Sequence, residues 1–327
     1  MIDLQVPNTA EAKYGLIYQV AENPELLPPV YVLSHKRADN LVTYRKFPWL
    51  KAVATLVVAH SQESAYRAAG WGDNLMVIPA GFGGHDAGIG RALQYILETA
   101  DMLGQDHILT VHDDLIMASV LYETEPGKVS RAWNRWMSHD REGYQRGVLA
   151  LMALCAEEAF AVSPDAVIAS PQVNNANRTL ASSRKRWELN AGGNPAQLQY
   201  WRVDRFLELT GGMNLTEFNY HGEDISLACD IIENGGQVVN LPTFITDYLD
   251  YETESVIRDP SNAHVLRQGE HDSLMQKVEM APYIKTRYDL LDRPQWHSLN
   301  WPLLKKEGLA RADEALWTDP VRIPALK

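Results

Sequence analysis

Short apolar runs that alternate with a helical pattern constrain the fold of this chain more than any other feature. The runs have the length and composition of buried strands, and they cover residues 30–33, 52–59, 75–79 and 107–111. Between the last two runs, apolar residues recur through 89–103 at the i, i+3, i+4, i+7 spacing of an amphipathic helix. Because strands that alternate with helices form parallel sheets, we predict an α/β fold.

The remaining sequence predicts further elements with a weaker pattern. Helical sequence covers 130–162 and 202–209, and strand-like runs cover 167–171 and 237–242. Residues 172–200 are polar and rich in Asn, Gly, Ser and Arg. A segment of this length without apolar periodicity is typical of a functional loop, so we predict a loop there.

The 327 residues are sufficient for one large domain with appendages. Polar residues and prolines interrupt the apolar pattern of residues 1–29, and we interpret this segment as an N-terminal arm packed on the domain. Residues 30–250 contain the regular pattern and form the main domain. Beyond them polar turns alternate with Trp and Pro, so we interpret 251–327 as a C-terminal extension that packs on the domain.

The composition restricts the partners and the compartment. The formal net charge is −12, with 42 acidic and 30 basic residues, so any contact with nucleic acid must be local. The two cysteines, Cys155 and Cys229, belong to no closely spaced metal or redox motif and are expected to be buried thiols. We find no signal segment, and the longest apolar run contains Glu157 and Glu158, so we expect a soluble, cytoplasmic protein without membrane contact.

An acidic motif, His112-Asp113-Asp114, directly follows the strand-like run at 107–111. Its side chains are therefore expected at the carboxyl edge of a parallel sheet, where ligands bind in open α/β folds. Carboxylates at that edge suit Mg²⁺ or Mn²⁺, which would neutralise a nucleotide-sugar diphosphate. The alternative is a structural cap, because Asp commonly caps helices and turns.

A second acidic pair, Glu223-Asp224, begins a helical pattern that stops at Gly235-Gly236. A carboxylate there can remove the proton of an acceptor hydroxyl as its oxygen attacks a sugar. The alternative needs no chemistry, because acidic residues at a helix N-terminus are favoured by the helix dipole. A glycine-rich lead to the earlier helix, 81–91, would let backbone amides approach an anion.

The order of these motifs resembles that of GT-A glycosyltransferases over roughly residues 30–245. Five motifs follow one another in the same order as in that family. They are the strand end at 34–37, the helix start Gly88-Ile89-Gly90-Arg91, the acidic motif 112–114, Gly211-Gly212 and Gly222-Glu223-Asp224. The resemblance implies a Rossmann-like, mixed and mostly parallel sheet flanked by helices, with 30–250 as the catalytic domain. It also implies transfer of a sugar from a nucleotide-sugar donor to a hydroxyl, with inversion at the anomeric carbon.

The resemblance assigns roles residue by residue. The nucleotide-sugar site comprises Ser34, His35, Arg37, Gly88, Arg91, Asp113, Asp114, Gly211 and Gly212. Asp224 is the implied base, with Glu223 beside it. Asp114 matches the usual direct ligand of Mn²⁺ or Mg²⁺, while His112 departs from the family's first acidic position and is itself a possible ligand. A further ligand from the C-terminal region would be His264 or His271.

Within this fold, the polar segment before Gly211 resembles phage-type glycosyltransferases associated with TET/JBP-like base oxidation. This second resemblance implies a hydroxymethylated pyrimidine in DNA as acceptor, and the host cytoplasm as location if the chain is phage-encoded. Cations and a ring for a DNA acceptor are offered by Arg178, Arg184, Lys185, Arg186 and Trp187. The alternatives are a saccharide or small-molecule acceptor, and a non-catalytic nucleotide-binding or scaffolding module.

Overall fold

Helices and strands alternate along most of the chain in the computed structural model. The structure describes residues 2–4, 8–84, 88–126, 128–131, 140–173, 182–189, 195, 197–210, 215, 224, 227–228, 231–232, 234–249, 284–286, 297–299, 303, 306–307 and 313–323. The helices are α1 (Ala10–Ala21), α2 (Val42–Lys46), α3 (Leu50–Val53), α4 (Glu63–Ala68), α5 (Ile89–Met102), α6 (Arg141–Val162) and α7 (Val203–Thr210). No helix in these ranges is long and apolar enough to cross a membrane.

The strands fall into one large sheet and two small ones. They are β1 (Ile2–Leu4), β2 (Val30–Leu33), β3 (Ala54–Ala59), β4 (Leu75–Ile78), β5 (His107–His112), β6 (Leu115–Glu125), β7 (Lys128–Arg131), β8 (Ala166–Val173), β9 (Lys185–Leu189), β10 (Leu198–Arg202), β11 (Gln237–Tyr248), β12 (Ile284–Thr286), β13 (His297–Leu299), β14 (Glu314–Leu316) and β15 (Val321–Ile323). The small sheets pair β1 with β15 and β12 with β13.

The large sheet has 11 strands, with nine in the order β14-β9-β11-β8-β10-β5-β2-β3-β4 and the pair β6-β7 attached to β11. Strands β2 to β5 are mutually parallel, and β8 is parallel to β11. The pairings make β6, β9 and β10 the strands that run against the other eight. The sheet is therefore mixed and mostly parallel, which confirms the predicted α/β class.

Helices cover both faces of this sheet. Helices α1 and α6 pack in one apolar cluster on the first face. They approach closely at Gly147, where an added Cβ would lie 2.1 Å from the carbonyl oxygen of Ile17. On the second face, α5 and α7 share a cluster with the helical residues at 227–228 and 231–232.

The predicted strands at 30–33, 75–79 and 107–111 and the helix at 89–103 are confirmed as β2, β4, β5 and α5. The run at 52–59 divides instead into the end of α3 and β3. The helix predicted from 130 begins only at Arg141, because Asp140 caps it by accepting a hydrogen bond from Gly143 N–H at 2.8 Å. The arm at 1–29 contains α1, whose Ile17 and Val20 are fully buried.

The loop predicted over 172–200 is wrong at the positions where this segment forms strands. Strand β8 extends to Val173, and the same segment contributes β9 and the start of β10. The polar composition of β9 is compatible with a strand because its charges are paired. Arg186 is fully buried and contacts both carboxylate oxygens of Glu158, at 2.6 and 3.0 Å.

Candidate active site

Polar residues follow the carboxyl ends of three parallel strands that meet at one edge of the sheet. Ser34 follows β2, Asp113 follows β5, and Gln62 ends the 3-10 turn after β3. Ligands of open α/β sheets bind outside this edge. The acidic motif 112–114 therefore lies where the sequence predicted it.

A closed circuit of hydrogen bonds holds the segment after β2. The backbone N–H of Arg37 donates to the hydroxyl of Tyr66 at 3.0 Å, and this hydroxyl lies 2.5 Å from Ser34 Oγ. Ser34 Oγ donates to Oδ2 of Asp113, and the guanidinium of Arg37 donates to Oδ1. The backbone N–H of His35 is a further donor to this carboxylate. The loop thus engages both oxygens of Asp113.

Burial sets the protonation of this circuit. Burial raises the pKa of the Asp113 carboxyl, while the Arg37 guanidinium and the hydrogen bonds from Ser34, Arg37 and the His35 backbone act against that rise. Burial also raises the pKa of Tyr66 to about 12. Tyr66 therefore keeps its proton near neutral pH and donates it to Ser34 Oγ, which in turn donates to Asp113.

The tautomer of His35 is fixed by Gln62. Oε1 of Gln62 accepts the backbone N–H of Lys36 at 2.6 Å, which identifies the other side-chain atom as the amide nitrogen. That nitrogen lies 2.6 Å from Nδ1 of His35 and can only donate. Nδ1 of His35 is therefore the acceptor, and the ring carries its proton on Nε2.

Asp114 and His112 lie on either side of the buried Asp113. Oδ2 of Asp114 is 3.9 Å from the Arg37 guanidinium, and the Asp114 carbonyl accepts the N–H of Leu249 at 2.9 Å. Burial, and then the charge of Arg37, lower the pKa of His112 to about 4. His112 is thus neutral near pH 7, the form in which imidazole can bind a metal.

These residues fit a divalent cation in part. A carboxylate oxygen and a neutral imidazole are suitable donors for Mn²⁺. Among the described residues, however, no group of three or more His, Cys, Asp or Glu side chains could hold a metal. Asp113 is engaged by Arg37 and Ser34. The other two predicted ligands in this motif are His112 and Asp114, and Asp114 also interacts with Arg37.

Arg91 is buried beneath the segment that leads to α5. Its guanidinium donates to the carbonyl oxygens of Phe82 and Pro79, the second at 2.7 Å, and so shapes this segment. Gly88, directly before α5, has a φ of 121°, a conformation that other residues rarely adopt. The predicted contact of Arg91 with a diphosphate stays a prediction.

The segment predicted to contact an acceptor is largely committed to the fold. Trp187 is buried in β9 beside Arg186, whose guanidinium also donates to the Asp319 carbonyl at 2.9 Å. Lys185 binds Glu314 at 2.6 Å. Arg184 is exposed and pairs with Glu123 at 2.8 Å. The prediction that Arg186 and Trp187 contact an acceptor is corrected, because both side chains are buried.

The second acidic pair is described only in part. Asp224 has a helical backbone and is half-buried. Several predicted site residues lie outside the described residues, namely Arg178, Gly211, Gly212, Glu223, His264 and His271.

Sequence reasoning missed two residues that organise the site, Gln62 and Tyr66. Both belong to the turn and helix after β3, and their side chains reach back to the loop after β2. Only the adjacency of β2 and β3 brings them there. Polar residues beyond a predicted parallel strand are the one signal that could have indicated them.

Part of the chain is similar to a known family. Residues 28–144 match the model of the family described as TET-Associated Glycosyltransferase. This segment contains the circuit of Ser34, Arg37, Tyr66 and Asp113, together with His112 and Asp114. The family match supports the resemblance to glycosyltransferases that the sequence motifs indicated. Among curated proteins no significant match exists.

Solved structures give a loose likeness over most of the chain. Mannosyl-3-phosphoglycerate synthase from Rubrobacter xylanophilus is 8% identical, with 86% of this chain and 90% of that chain covered and a TM-score of 0.39. Glucosyl-3-phosphoglycerate synthase from Mycobacterium tuberculosis, solved with Mn²⁺, uridine diphosphate and phosphoglyceric acid, is 12% identical, with 89% and 94% covered and a TM-score of 0.39. At these low TM-scores the likeness carries no functional information.

Proposed function

We propose that this chain, a glycosyltransferase by its match to the TET-associated family, moves a sugar from a nucleotide-sugar donor to a hydroxyl acceptor. One observation carries the proposal. The family match over 28–144 includes the whole hydrogen-bonded circuit at the carboxyl edge of the sheet. The matched segment thus contains a built polar site where α/β folds bind ligands.

The donor would bind across the ends of β2 and β5. Arg37 supplies a cation there for the diphosphate, and its guanidinium is already oriented by Asp113. His35 supplies a ring N–H, and the glycine at 88 lets the start of α5 approach an anion. Ser34 and Asp113 would act by holding this loop, because each is already engaged within it.

A divalent cation would be held by Asp114 and His112, with a further ligand from His264 or His271. When bound, Mn²⁺ or Mg²⁺ would neutralise the diphosphate and the charge that develops on it as the sugar leaves. The half-buried position of Asp114, beside neutral His112, supports this assignment. Arg37, 3.9 Å from Asp114, shares the neutralisation of this carboxylate.

Asp224 is the proposed base. It has a helical backbone, as do 227–228 and 231–232, and Ile231 and Leu227 are buried against the cluster that contains α5. Ile231 O accepts the N–H of Gly236, directly before β11 begins at the amino edge. Its position three residues before the buried Leu227 supports a place for Asp224 on this face of the sheet. There its carboxylate could take the acceptor proton while the acceptor oxygen attacks the anomeric carbon, with inversion.

The favoured acceptor is a hydroxymethylated pyrimidine in DNA. The family description supports an association with base oxidation. The net charge of −12 and the pairing of Arg184 with Glu123 limit the electrostatic attraction for DNA, so contacts would be few and local. These same observations keep a saccharide or small hydroxyl acceptor as the second candidate.

Asp224→Asn tests the assignment of the base. It should lower transfer by about 100-fold or more, because an amide cannot accept the proton, while donor binding stays within about twofold. Transfer is measured as acceptor product, and donor binding by calorimetry. Asp101→Asn, an exposed change at the end of α5, is the matched control. A near-normal transfer rate in Asp224→Asn would refute the base assignment.

The wild-type chain tests the alternative of a non-catalytic module. If it neither hydrolyses nucleotide sugars nor transfers their sugar in the presence of Mn²⁺, the non-catalytic module is favoured.

A further inference from the structure

Four polar side chains form a row across the carboxyl end of the sheet. His112 ends β5, and its N–H donates to the carbonyl of Gln197, directly before β10, at 3.0 Å. Strand β10 pairs with β8 at Tyr200 and Ala169, and Gln197 and Gln172 each lie three residues from that pair, toward the carboxyl end of the sheet. The Gln172 amide then donates to Oδ1 of Asn240 on β11. We call these four residues, His112, Gln197, Gln172 and Asn240, the polar row.

The polar row lies on the sheet face covered by α5 and α7. Alternate residues of a strand point to the same face of a sheet. Ile108, Trp201, Ile168 and Val238 are each two or four residues away from a member of the polar row on the same strand segment. All four belong to the apolar cluster that contains α5 and α7. Leu227 and Ile231, which follow the proposed base Asp224 in the sequence, pack in this same cluster.

Two atoms of the polar row lack hydrogen bonds. Within the described residues, Nδ2 of Asn240 and Oε1 of Gln197 are buried and have no partner. Each such group costs about 1–3 kcal/mol unless a partner outside the chain satisfies it. The layer one step deeper contains no such defect at Gln199. Its Oε1 accepts from Thr110 at 3.0 Å, and its Nε2 donates to Pro195 O at 2.6 Å.

The backbone at Gln197 is also unusual. Its φ is 60°, in the left-handed region that residues other than Gly seldom adopt. Such conformations persist where the surrounding structure holds them, and they are concentrated at functional sites. Strain and a buried acceptor therefore coincide one strand away from His112.

The missing partners define the ligand. Nδ2 of Asn240 is a donor, and Oε1 of Gln197 is an acceptor. A phosphate only accepts hydrogen bonds, whereas hydroxyl groups both donate and accept and can satisfy both atoms. Position agrees with this, because the row begins at His112, beside Asp114 at the proposed diphosphate site. We propose that the polar row is the floor of the pocket for the transferred sugar, and that its three amide side chains, Gln197, Gln172 and Asn240, bind the hydroxyl groups of the sugar. This inference rests on the proposed function.

The test separates the sugar from the nucleotide. Gln197→Met removes the unpartnered acceptor, and the double variant Gln172→Met with Asn240→Leu removes the amide pair together with the unpartnered donor. The affinities of wild type and variants are measured by calorimetry for UDP and UDP-glucose and for GDP and GDP-mannose, with Mn²⁺ present. Wild type is expected to bind either the uridine ligands or the guanosine ligands. For those ligands, both variants should bind the nucleotide sugar about tenfold more weakly than wild type does, and the nucleoside diphosphate less than twofold more weakly.

Thermal unfolding distinguishes a ligand site from a structural one. Gln197→Met should keep the wild-type midpoint or raise it, because it removes an unsatisfied buried atom. Gln145→Met is the matched control, since Gln145 is buried and exchanges two hydrogen bonds of 2.9 Å with the backbone of Ala118. This control should lower the midpoint.

Three results would overturn the inference. The first is an unchanged affinity for the sugar ester in both variants, while wild type still binds it. The second is a Gln197→Met midpoint that falls as far as that of Gln145→Met. The third is that both variants bind the nucleotide sugar as wild type does but no longer transfer the sugar to hydroxymethylated DNA. The polar row would then be a binding site for the acceptor. A wild type that binds no diphosphate would instead overturn the proposed function.

Discussion

At the scale of single residues, the buried pair of Arg37 and Asp113 decides which carboxylate can serve a ligand. Both side chains are less than 9% exposed, and both oxygens of Asp113 are engaged by Arg37 and Ser34. Removing one partner of a buried ion pair leaves an uncompensated charge, which is strongly destabilising. Asp113 therefore holds the loop after β2, and the proposed role in binding the donor or its cation falls to Asp114, which also interacts with Arg37.

Tyr66→Phe tests this circuit. The change removes the group that accepts Arg37 N–H and donates to Ser34, and both partners are left in a buried site. We expect the free energy of unfolding to fall by about 1–3 kcal/mol, measured by urea denaturation. Tyr95→Phe is the control, because the ring that packs edge-on against Phe82 is kept. Equal stability of wild type and Tyr66→Phe would contradict the circuit.

At the scale of elements, one buried cation links the helix of the N-terminal arm to the sheet and to the C-terminal region. Lys13 of α1 is fully buried, and its Nζ donates to Leu121 O at 2.7 Å and Ser183 O at 2.5 Å. The same Nζ lies 4.7 Å from the ring centroid of Trp317, which is fully buried beyond β14. Residues from the predicted arm and extension thus share the interior of the main domain.

The burial of Lys13 predicts a pH dependence of stability. Burial lowers the pKa of Lys13 from 10.5 to about 7. Between these pH values the unfolded chain holds a proton that the folded chain lacks, so the free energy of unfolding should rise with pH, by at most about 1.4 kcal/mol per pH unit. Urea unfolding at pH 7 to 10 measures this slope, and Lys13→Met should reduce it relative to wild type.

The exposed Lys51→Met is the matched control for this slope and should leave it unchanged. If wild type and Lys13→Met have the same pH slope, the amine stays charged in the folded protein. Its three acceptors and the Trp317 ring would then outweigh the cost of burial.

At the scale of the whole molecule, the sequence predicted the elements whose burial is periodic. The strands β2, β4 and β5 are continuous apolar runs, and α5 carries a clear apolar stripe, so local pattern and final structure agree. The edge at which Ser34, Arg37 and Asp113 meet followed from the parallel arrangement of those strands. The location of the candidate site in the fold could therefore be predicted from the sequence.

Partners that are distant in sequence were not predictable from pattern. Strand β9 contains Lys185 and Arg186, and it is a strand only because Glu158 and Glu314 neutralise them. Gln62 and Tyr66 reach the site only through the pairing of β2 with β3. Such contacts depend on tertiary structure, which overrides local composition.

The proposed transfer of a sugar to a hydroxyl acceptor can be measured in a single assay. The full chain is incubated with a panel of nucleotide sugars, Mn²⁺, and either hydroxymethylated or plain DNA, and the DNA is digested to nucleosides for mass analysis. We expect a pyrimidine nucleoside that gains the mass of one sugar, only with hydroxymethylated DNA and one class of donor. Product on saccharides but not on DNA would reassign the acceptor. Absence of transfer to any hydroxyl acceptor, with intact nucleotide sugars recovered, would contradict the account.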